Sequence, residues 1–385
     1  MQKRILAILL SLVLIAVFMT GCGKAEPMNA DMTAFDYARD MGIGLNLGNT
    51  FDAYWSGGDN TCSGSNVVGE GKISDYETCW GAVVTTKEMI DGMRDEGFNT
   101  VRIPVYWGND MSADSNFTIS KALLKRVEEV VNYCLDDGLY AVVNIHHYDG
   151  YVIENFPKDE ALDIVEKLWK QIADHFKNYG DHLVFEGFNE SVGNHRKQDS
   201  FNEDEIYDFV NALNQNFVDA VRSTGGNNSE RMLIVSGYNT NIDSTTNSKF
   251  KMPKDSAKDR LMVSVHYVDN WPFWANSVGS KWWYDYSVEQ CELLKKAFTD
   301  NGIPVFMGEC TAGYPKDRIA ANAEISGSSA DYVEMILRME LEYGFVPVIW
   351  DINSAESFYA REICKIRRDD NRNVIQTLLY DFFED

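Results

Sequence analysis

The sequence predicts an α/β fold, a single (β/α)₈ barrel with long loops at the carboxyl ends of its strands. Three observations carry that expectation. Eight short, continuously apolar segments read as buried parallel strands, amphipathic segments of helical period separate them, and the same end of almost every apolar segment delivers polar or aromatic residues. No internal repeat, Pro-rich linker or low-complexity run marks a second domain, and 45% hydrophobic and 12% aromatic residues are enough to fill one large core.

The chain opens on Lys3-Arg4, followed by an apolar run from Ile5 to Met19 broken only by Ser11 and ending in Thr20-Gly21-Cys22. The run is too short to span a bilayer comfortably and reads as an export signal. Small residues immediately before a cysteine resemble a bacterial lipoprotein box. That resemblance implies cleavage before Cys22, lipid attachment to its thiol and a location at the bacterial cell surface. The expected organisation is a signal peptide over 1–21, a lipidated tether over 22–35 and a catalytic barrel over 36–385.

Strands are expected at 43–48, 100–104, 140–145, 183–188, 231–236, 261–265, 304–308 and 345–350. After Ser120, the residues Leu123, Leu124, Val127, Val130, Val131, Cys134 and Leu135 fall on one helical face that stops at Gly138. Thr85-Thr86-Lys87-Glu88 and Ser287-Val288-Glu289-Gln290 read as capping boxes that open two further helices. Other helical patterns cover 161–178, 205–222, 330–343 and 374–382. The polar stretch 238–260 lacks a long helical pattern, so the fifth helix is expected to be short or irregular.

A formal charge of −24 argues against nucleic acid or an anionic lipid surface as a partner and fits a neutral substrate. Removing residues 1–21 takes away Lys3 and Arg4 and no acid, so the mature chain would be more acidic still. The cysteines match no metal-binding spacing, and no metal or cofactor is expected. Cys62 and Cys79 share a polar loop and could pair after export, whereas Cys134 and Cys291 sit on apolar helical faces as small core residues.

If the barrel is right, its strand ends carry the chemistry. They supply Asn46 and Asn49, Arg102, His146-His147, Asn189-Glu190, His266, Glu309 and Trp350 in strand order. Two carboxylates far apart in sequence, each at the exit of a buried strand, are what a retaining glycosidase needs. One serves as general acid/base and the other as nucleophile, roughly 5 Å away.

With these residues in place, the chain resembles the family 5 glycoside hydrolases, the cellulase-like branch of the retaining barrel glycosidases. The matching segments are Gly44-Leu45-Asn46-Leu47-Gly48-Asn49-Thr50-Phe51-Asp52-Ala53, Phe98-Asn99-Thr100-Val101-Arg102-Ile103-Pro104-Val105, Asn144-Ile145-His146-His147, Phe185-Glu186-Gly187-Phe188-Asn189-Glu190 and Pro304-Val305-Phe306-Met307-Gly308-Glu309, in the family's order. The resemblance implies Glu190 as acid/base and Glu309 as nucleophile. Arg102 would keep Glu309 anionic and Asn189 would hold the sugar 2-hydroxyl. By the same resemblance His146, His147 and Asn49 line the sugar site, His266 sits beside the acid/base, and Trp350 is the stacking platform.

The resemblance breaks in two places. Family members commonly place a tyrosine two residues after the strand-six histidine, where it touches the nucleophile; here the chain reads His266-Tyr267-Val268. Either Tyr267 or Tyr238 takes that place, or the nucleophile loses a hydrogen bond that helps set its pKa. Cys310 follows the nucleophile where an aromatic or small apolar residue is common, a change of packing more than of mechanism.

The stretch 267–286 carries Tyr267, Trp271, Phe273, Trp274, Trp282, Trp283, Tyr284 and Tyr286. Exposed aromatic rings grip the apolar faces of pyranoses, and about half of these are expected to be buried. The loop 51–80, with Tyr54, Trp55 and Trp80, is a candidate cleft wall. The reading reached is a monomeric, lipid-anchored retaining endo-β-1,4-glucanase acting on cellulose, xyloglucan or mixed-linkage glucan. A mannanase or xylanase on the same fold, and a glycan-binding lipoprotein without turnover, remain as alternatives; the presence of Glu190, Glu309 and Arg102 disfavours the last.

Overall fold

The computed structural model of the protein describes residues 27–54, 70–112, 114, 116–192, 201–311, 313–325 and 327–384. Each expected strand forms: β1 Gly44–Asn46, β2 Thr100–Ile103, β3 Tyr140–Asn144, β4 Leu183–Glu186, β5 Leu233–Ser236, β6 Leu261–His266, β7 Val305–Cys310 and β8 Val346–Ile349. Every strand pairs in parallel with its sequence neighbour, and β1 pairs with β8 to close the barrel.

Alternation along the strands explains how this barrel carries a site. Side chains at i, i+2 and i+4 share one face, so each strand contributes a short inward series. In β3 that series is Tyr140, Val142, Asn144; in β4 it is Val184, Glu186; in β6 it is Met262, Ser264, His266. Apolar inward residues at the strand beginnings form one core cluster with Met232, Ile234, Phe306, Val346 and Val348. Polar ones follow at the strand ends. The lower half of the barrel is therefore sealed and the upper half is a buried polar layer.

The lower opening is plugged by the helix Ala34–Met41, whose Ala34, Tyr37, Ala38 and Met41 join the same cluster and whose N-cap Thr33 completes a capping box. The segment before it, which the sequence places in the tether, lies on this rim: Asn29 N donates to Asp181 Oδ2 (2.6 Å) and Arg260 Nη2 donates to Asn29 O (3.2 Å). Cys22 and the signal segment 1–21 lie outside the described residues, as do Trp55 and Cys62.

The outer helices follow their predicted faces. Lys121–Asp136 starts at Ser120, whose hydroxyl accepts from Leu123 N (3.1 Å), and it buries Leu123, Val127, Val130, Val131 and Cys134. Lys87–Asp95 begins after Thr86, although that side chain makes no capping bond. Ser287 is a correction. The helix runs Lys281–Ala297 with Ser280 as its N-cap, and Ser287 is buried inside it, donating to Trp283 O (2.7 Å). A hydroxyl back-bonded one turn earlier is compatible with a helix interior, so the Ser-x-x-Gln pattern there opened nothing. After β5 the chain makes only a 3₁₀ turn, Tyr238–Thr240, and a single α-turn, Ile242–Thr245. Cys79, Cys134, Cys291, Cys310 and Cys364 are free thiols.

The long aromatic stretch is more exposed than expected. Trp283 is fully buried, Tyr267, Phe273 and Tyr286 are half-buried, and Trp271, Trp274, Trp282 and Tyr284 are exposed. The short helix Asn270–Trp274 and the first turns of Lys281–Ala297 hold their rings on the rim of the barrel mouth.

Candidate active site

The upper polar layer is organised by one arginine. Arg102, on β2, is wholly buried; its Nε donates to Glu186 Oε2 (2.7 Å), Nη1 to Asn46 Oδ1 (3.0 Å) and Glu309 Oε1 (3.2 Å), and Nη2 to Asn189 Oδ1 (2.8 Å). A planar fork with donors on three nitrogens suits four acceptors from three strands, which a single ammonium would not. Because Arg102 only donates, the Asn189 oxygen must face it. The Asn189 amide nitrogen is thereby left to donate elsewhere.

Glu186 is the counter-charge beneath this layer. It also accepts from Asn144 Nδ2 (3.0 Å) and Ser264 Oγ (2.8 Å), so its lone pairs are well used despite complete burial. Gly308 makes room for it: a Cβ there would lie 2.9 Å from Ser264 Oγ and 3.2 Å from Glu186 Oε1. The register of β7 shifts between Met307 and Cys310, an irregularity that accompanies the turn of Glu309 into the mouth.

Glu190, His266 and Glu309 converge there, each offering a ligand atom within 4.8 Å of the others. His266 Nδ1 is 3.1 Å from Glu190 Oε1 and 3.7 Å from Glu309 Oε2. Tyr267 answers the question left by Val268. Its hydroxyl donates to Glu309 Oε2 (3.2 Å), while Val268 is fully buried. Tyr267 adopts a left-handed backbone (φ 51°) and its N–H donates to Glu309 O (2.9 Å), so the strand end turns one residue early. Tyr238, in the turn after β5, makes no bond to Glu309 among the described residues.

Electrostatics assign the two carboxyls opposite tendencies. Burial raises Glu190, but the His266 hydrogen bond and the charges of His266, His147 and Arg102 outweigh it, and its pKa is lowered. Burial dominates at Glu309, against the pull of His266 and Arg102 and with added repulsion from Glu190 and Glu186, so its pKa is raised. His146 is driven well below the ordinary imidazole range by burial and then by the charges of His147, Arg102 and His266, and is therefore neutral.

The other expected residues separate into a platform, a wall and a turn. His146 is buried and lies parallel to Trp350, with centroids 6.0 Å apart and planes within 6°. His147, at φ 58°, packs edge-on to His146 (4.3 Å) and near Tyr54 and Trp80, each at 5.7 Å. Tyr54 in turn stacks on Tyr106 at 4.5 Å, making an aromatic wall. Asn49 serves the backbone: at φ 54° its N–H donates to Asp52 Oδ2 (3.1 Å), beside Thr50 N to Asp52 Oδ1 (2.8 Å). Burial lifts Asp52 to about 6, against those bonds and the Arg361 charge.

Two clusters among the described residues could geometrically hold a cation, Glu190–His266–Glu309 and Asp52–His146–His147. The first contains the two candidate catalytic carboxylates, Glu190 and Glu309. Glu186, Ser264 and Asp52 are the polar residues that the sequence reading did not single out. An acid inside an otherwise apolar strand, as at Glu186, was the available signal.

Comparison with known proteins agrees with this geometry. The model of the cellulase family, glycosyl hydrolase family 5, matches residues 61–356. Endoglucanase B of Ruminococcus albus is 34% identical over 316 residues, covering 80% of this chain and 72% of that protein. A xyloglucan-specific endo-beta-1,4-glucanase of Bacteroides ovatus is 33% identical, over 86% of this chain and 67% of its own length. Among solved structures, a family 5 lichenase from Caldicellulosiruptor sp. F32 superposes with a TM-score of 0.78 at 32% identity, covering 94% of this chain and 98% of the other. A broad specificity endoglucanase from Ruminococcus champanellensis with bound cellotriose gives 0.77 at 30% identity, covering 91% and 99%.

Proposed function

The chain belongs to glycosyl hydrolase family 5, the cellulase family, and we propose that within it the protein is a retaining endo-β-1,4-glucanase. The observation that supports this reading best is the separation of the two carboxylates. Oxygens of Glu190 and Glu309 lie no more than 4.8 Å apart, which is compatible with the roughly 5 Å carboxyl separation of double-displacement enzymes.

In the first step a Glu309 oxygen attacks the anomeric carbon as the bond to the departing oxygen breaks, and Glu190 gives that oxygen its proton. In the second, Glu190 takes a proton from water, the water oxygen bonds to the anomeric carbon, and Glu309 leaves as a carboxylate. Arg102 and Tyr267 hold the two Glu309 oxygens throughout. A bound sugar would reverse these tendencies. The Glu190 side chain is 37% exposed, so a sugar seated over it removes water and favours its neutral form, while positive charge developing at the anomeric carbon favours the Glu309 anion. Asn189 offers its amide nitrogen to the 2-hydroxyl, and Trp350 lies under the ring.

A xyloglucan-specific endoglucanase, a lichenase and a broad specificity endoglucanase with bound cellotriose among the relatives support a β-glucan as substrate in preference to mannan or xylan. Product analysis on cellulose derivative, xyloglucan, mixed-linkage glucan, mannan and xylan tests this, with the anomer first released read by NMR. A β-anomer released from a β-glucan is expected. An α-anomer, or cleavage confined to mannan or xylan, would contradict the reading.

We further propose that the mature protein is a monomer held at a bacterial surface by lipid on Cys22, as Lys3-Arg4, the apolar run and Thr20-Gly21-Cys22 suggest. Among the described residues no helix is long and apolar enough to cross a membrane. Cys22→Ala should move the protein to the aqueous phase in detergent partitioning or leave it unprocessed; unchanged partitioning would rule out this attachment.

A further inference from the structure

Outside the eight strands of the barrel, the segment after β8 forms a two-stranded antiparallel hairpin, β9 Tyr359–Ala360 and β10 Lys365–Ile366. Tyr359 ties it to the outer helix layer, its hydroxyl donating to Met89 O (2.9 Å) in the helix Lys87–Asp95. Arg361 follows β9 directly and is wholly buried, although it stands on a connection.

The Arg361 guanidinium reaches the ends of two barrel strands. Its Nη1 donates to Thr50 Oγ1 (2.7 Å), after β1, and its Nη2 to Gly48 O (3.0 Å), Asp351 O (3.0 Å) and Asp351 Oδ1 (3.4 Å), the last two after β8. Asp351 Oδ1 also accepts from Asn353 N (3.1 Å) and Oδ2 from Tyr359 N (2.9 Å), so the same carboxylate is bound to the hairpin. Trp350 stands where these groups meet. Gly48 N donates to Asp351 O (2.9 Å), and a Cβ on Gly48 would lie 2.7 Å from that oxygen and 3.0 Å from the Trp350 ring. The turn after β1 and the ring after β8 are therefore in contact, and Arg361 bonds the backbone on both sides of that contact.

Charge alone does not account for the arrangement. Replacing a buried ion pair by apolar residues of similar volume is often neutral or stabilising, so the value of the guanidinium lies in where it holds the two loops. Trp350 N donates to Cys310 O (3.1 Å), and Cys310 follows Glu309, so the ring is also registered against the strand of the nucleophile candidate. We propose that Arg361 is a positioning residue for the reaction, fixing the Trp350 ring and the turn 48–52 as one floor beneath the sugar while touching no substrate itself. The inference rests on the glucanase reading above, in which Trp350 lies under the ring to be cleaved.

Arg361→Lys keeps a charge beside Asp351 and loses the fork that reaches Thr50 and Gly48 together. Its rates on an aryl β-cellobioside, measured alone and in a Trp350→Ala background with a melting curve for each protein, test the proposal. Expected is a fall of about tenfold in kcat/KM for Arg361→Lys alone, and a further fall of no more than about twofold in Trp350→Ala, where no ring is left to misplace. The same loss in both backgrounds would assign Arg361 to general folding, and no loss in the first would show that the ring keeps its place without it. Either result overturns the positioning role and leaves the glucanase reading standing. Should Arg361→Lys fail to fold, Thr50→Val decides: it removes only the hydroxyl that accepts from Nη1, and a loss of about threefold that vanishes in Trp350→Ala is expected, whereas a loss that persists there, or none at all, overturns the proposal. A wild-type protein that cleaves neither the glycoside nor any β-glucan sinks the glucanase reading, and the positioning role with it.

Discussion

Arg102 and Glu186 form a fully buried pair, Nε to Oε2 at 2.7 Å, and the same guanidinium reaches the nucleophile candidate Glu309 at 3.2 Å. The position of Glu309 is therefore set through a charge shared with a residue that never meets solvent. Arg102→Lys keeps the charge but cannot serve Glu186, Asn46, Glu309 and Asn189 together. A loss of about 10²-fold in kcat is expected from misplacement of the carboxylate. Removing the charge, as in Arg102→Met, should also destabilise the fold by about 3–5 kcal/mol, because Glu186 is left buried and unpaired. Steady-state rates and denaturant melts of both variants check this; a Lys variant with near-normal kcat would contradict it.

Tyr267→Phe deletes only the hydroxyl that donates to Glu309 Oε2. Hydrogen bonds to charged groups contribute about 1.5–3 kcal/mol, so kcat/KM should fall about 10- to 100-fold with little change in melting point. The lost donor had favoured the Glu309 anion, so the acidic limb of the pH profile should move upward. An unchanged acidic limb would mean that the contact does not act on the nucleophile.

His266→Asn tests the other carboxylate. Glu190 must be protonated for the first step, and in the substrate complex, where its neutral form is favoured, the alkaline limb of kcat follows it. His266 lowers the Glu190 pKa by its hydrogen bond and its charge. Removing the imidazole removes both, the neutral acid is favoured, and the alkaline limb should shift to higher pH. A shift to lower pH would show that His266 acts in some other way.

Legibility from sequence tracked the physics of each feature. All eight strands could be read because parallel strands buried on both faces are written as apolar runs, and the residues at their ends followed directly. Ser287 misled because a Ser-x-x-Gln pattern looks the same at a helix start and inside a helix, where the hydroxyl simply bonds back to Trp283. Glu186 escaped notice because, although an acid inside an apolar strand marks it, its place in the inward polar layer cannot be read without register. The role of Tyr267 turns on a left-handed backbone at a non-glycine residue, which no local pattern announces. Asn49 shows the converse: a polar residue at a strand end whose backbone, held by Asp52, shapes the turn.

The assignment of Glu190 as acid/base and Glu309 as nucleophile is tested most directly by single-turnover measurements with an aryl glycoside whose leaving group needs no proton. Glu190→Gln should still release the aryl group in a burst and then stall with the sugar bound covalently to Glu309, because the base for deglycosylation is gone; the later step should slow by about 10²–10⁴-fold. Glu309→Gln should give no burst and no covalent adduct by mass spectrometry. An equal loss of the first step in both variants, or an adduct on any residue other than Glu309, would contradict the account.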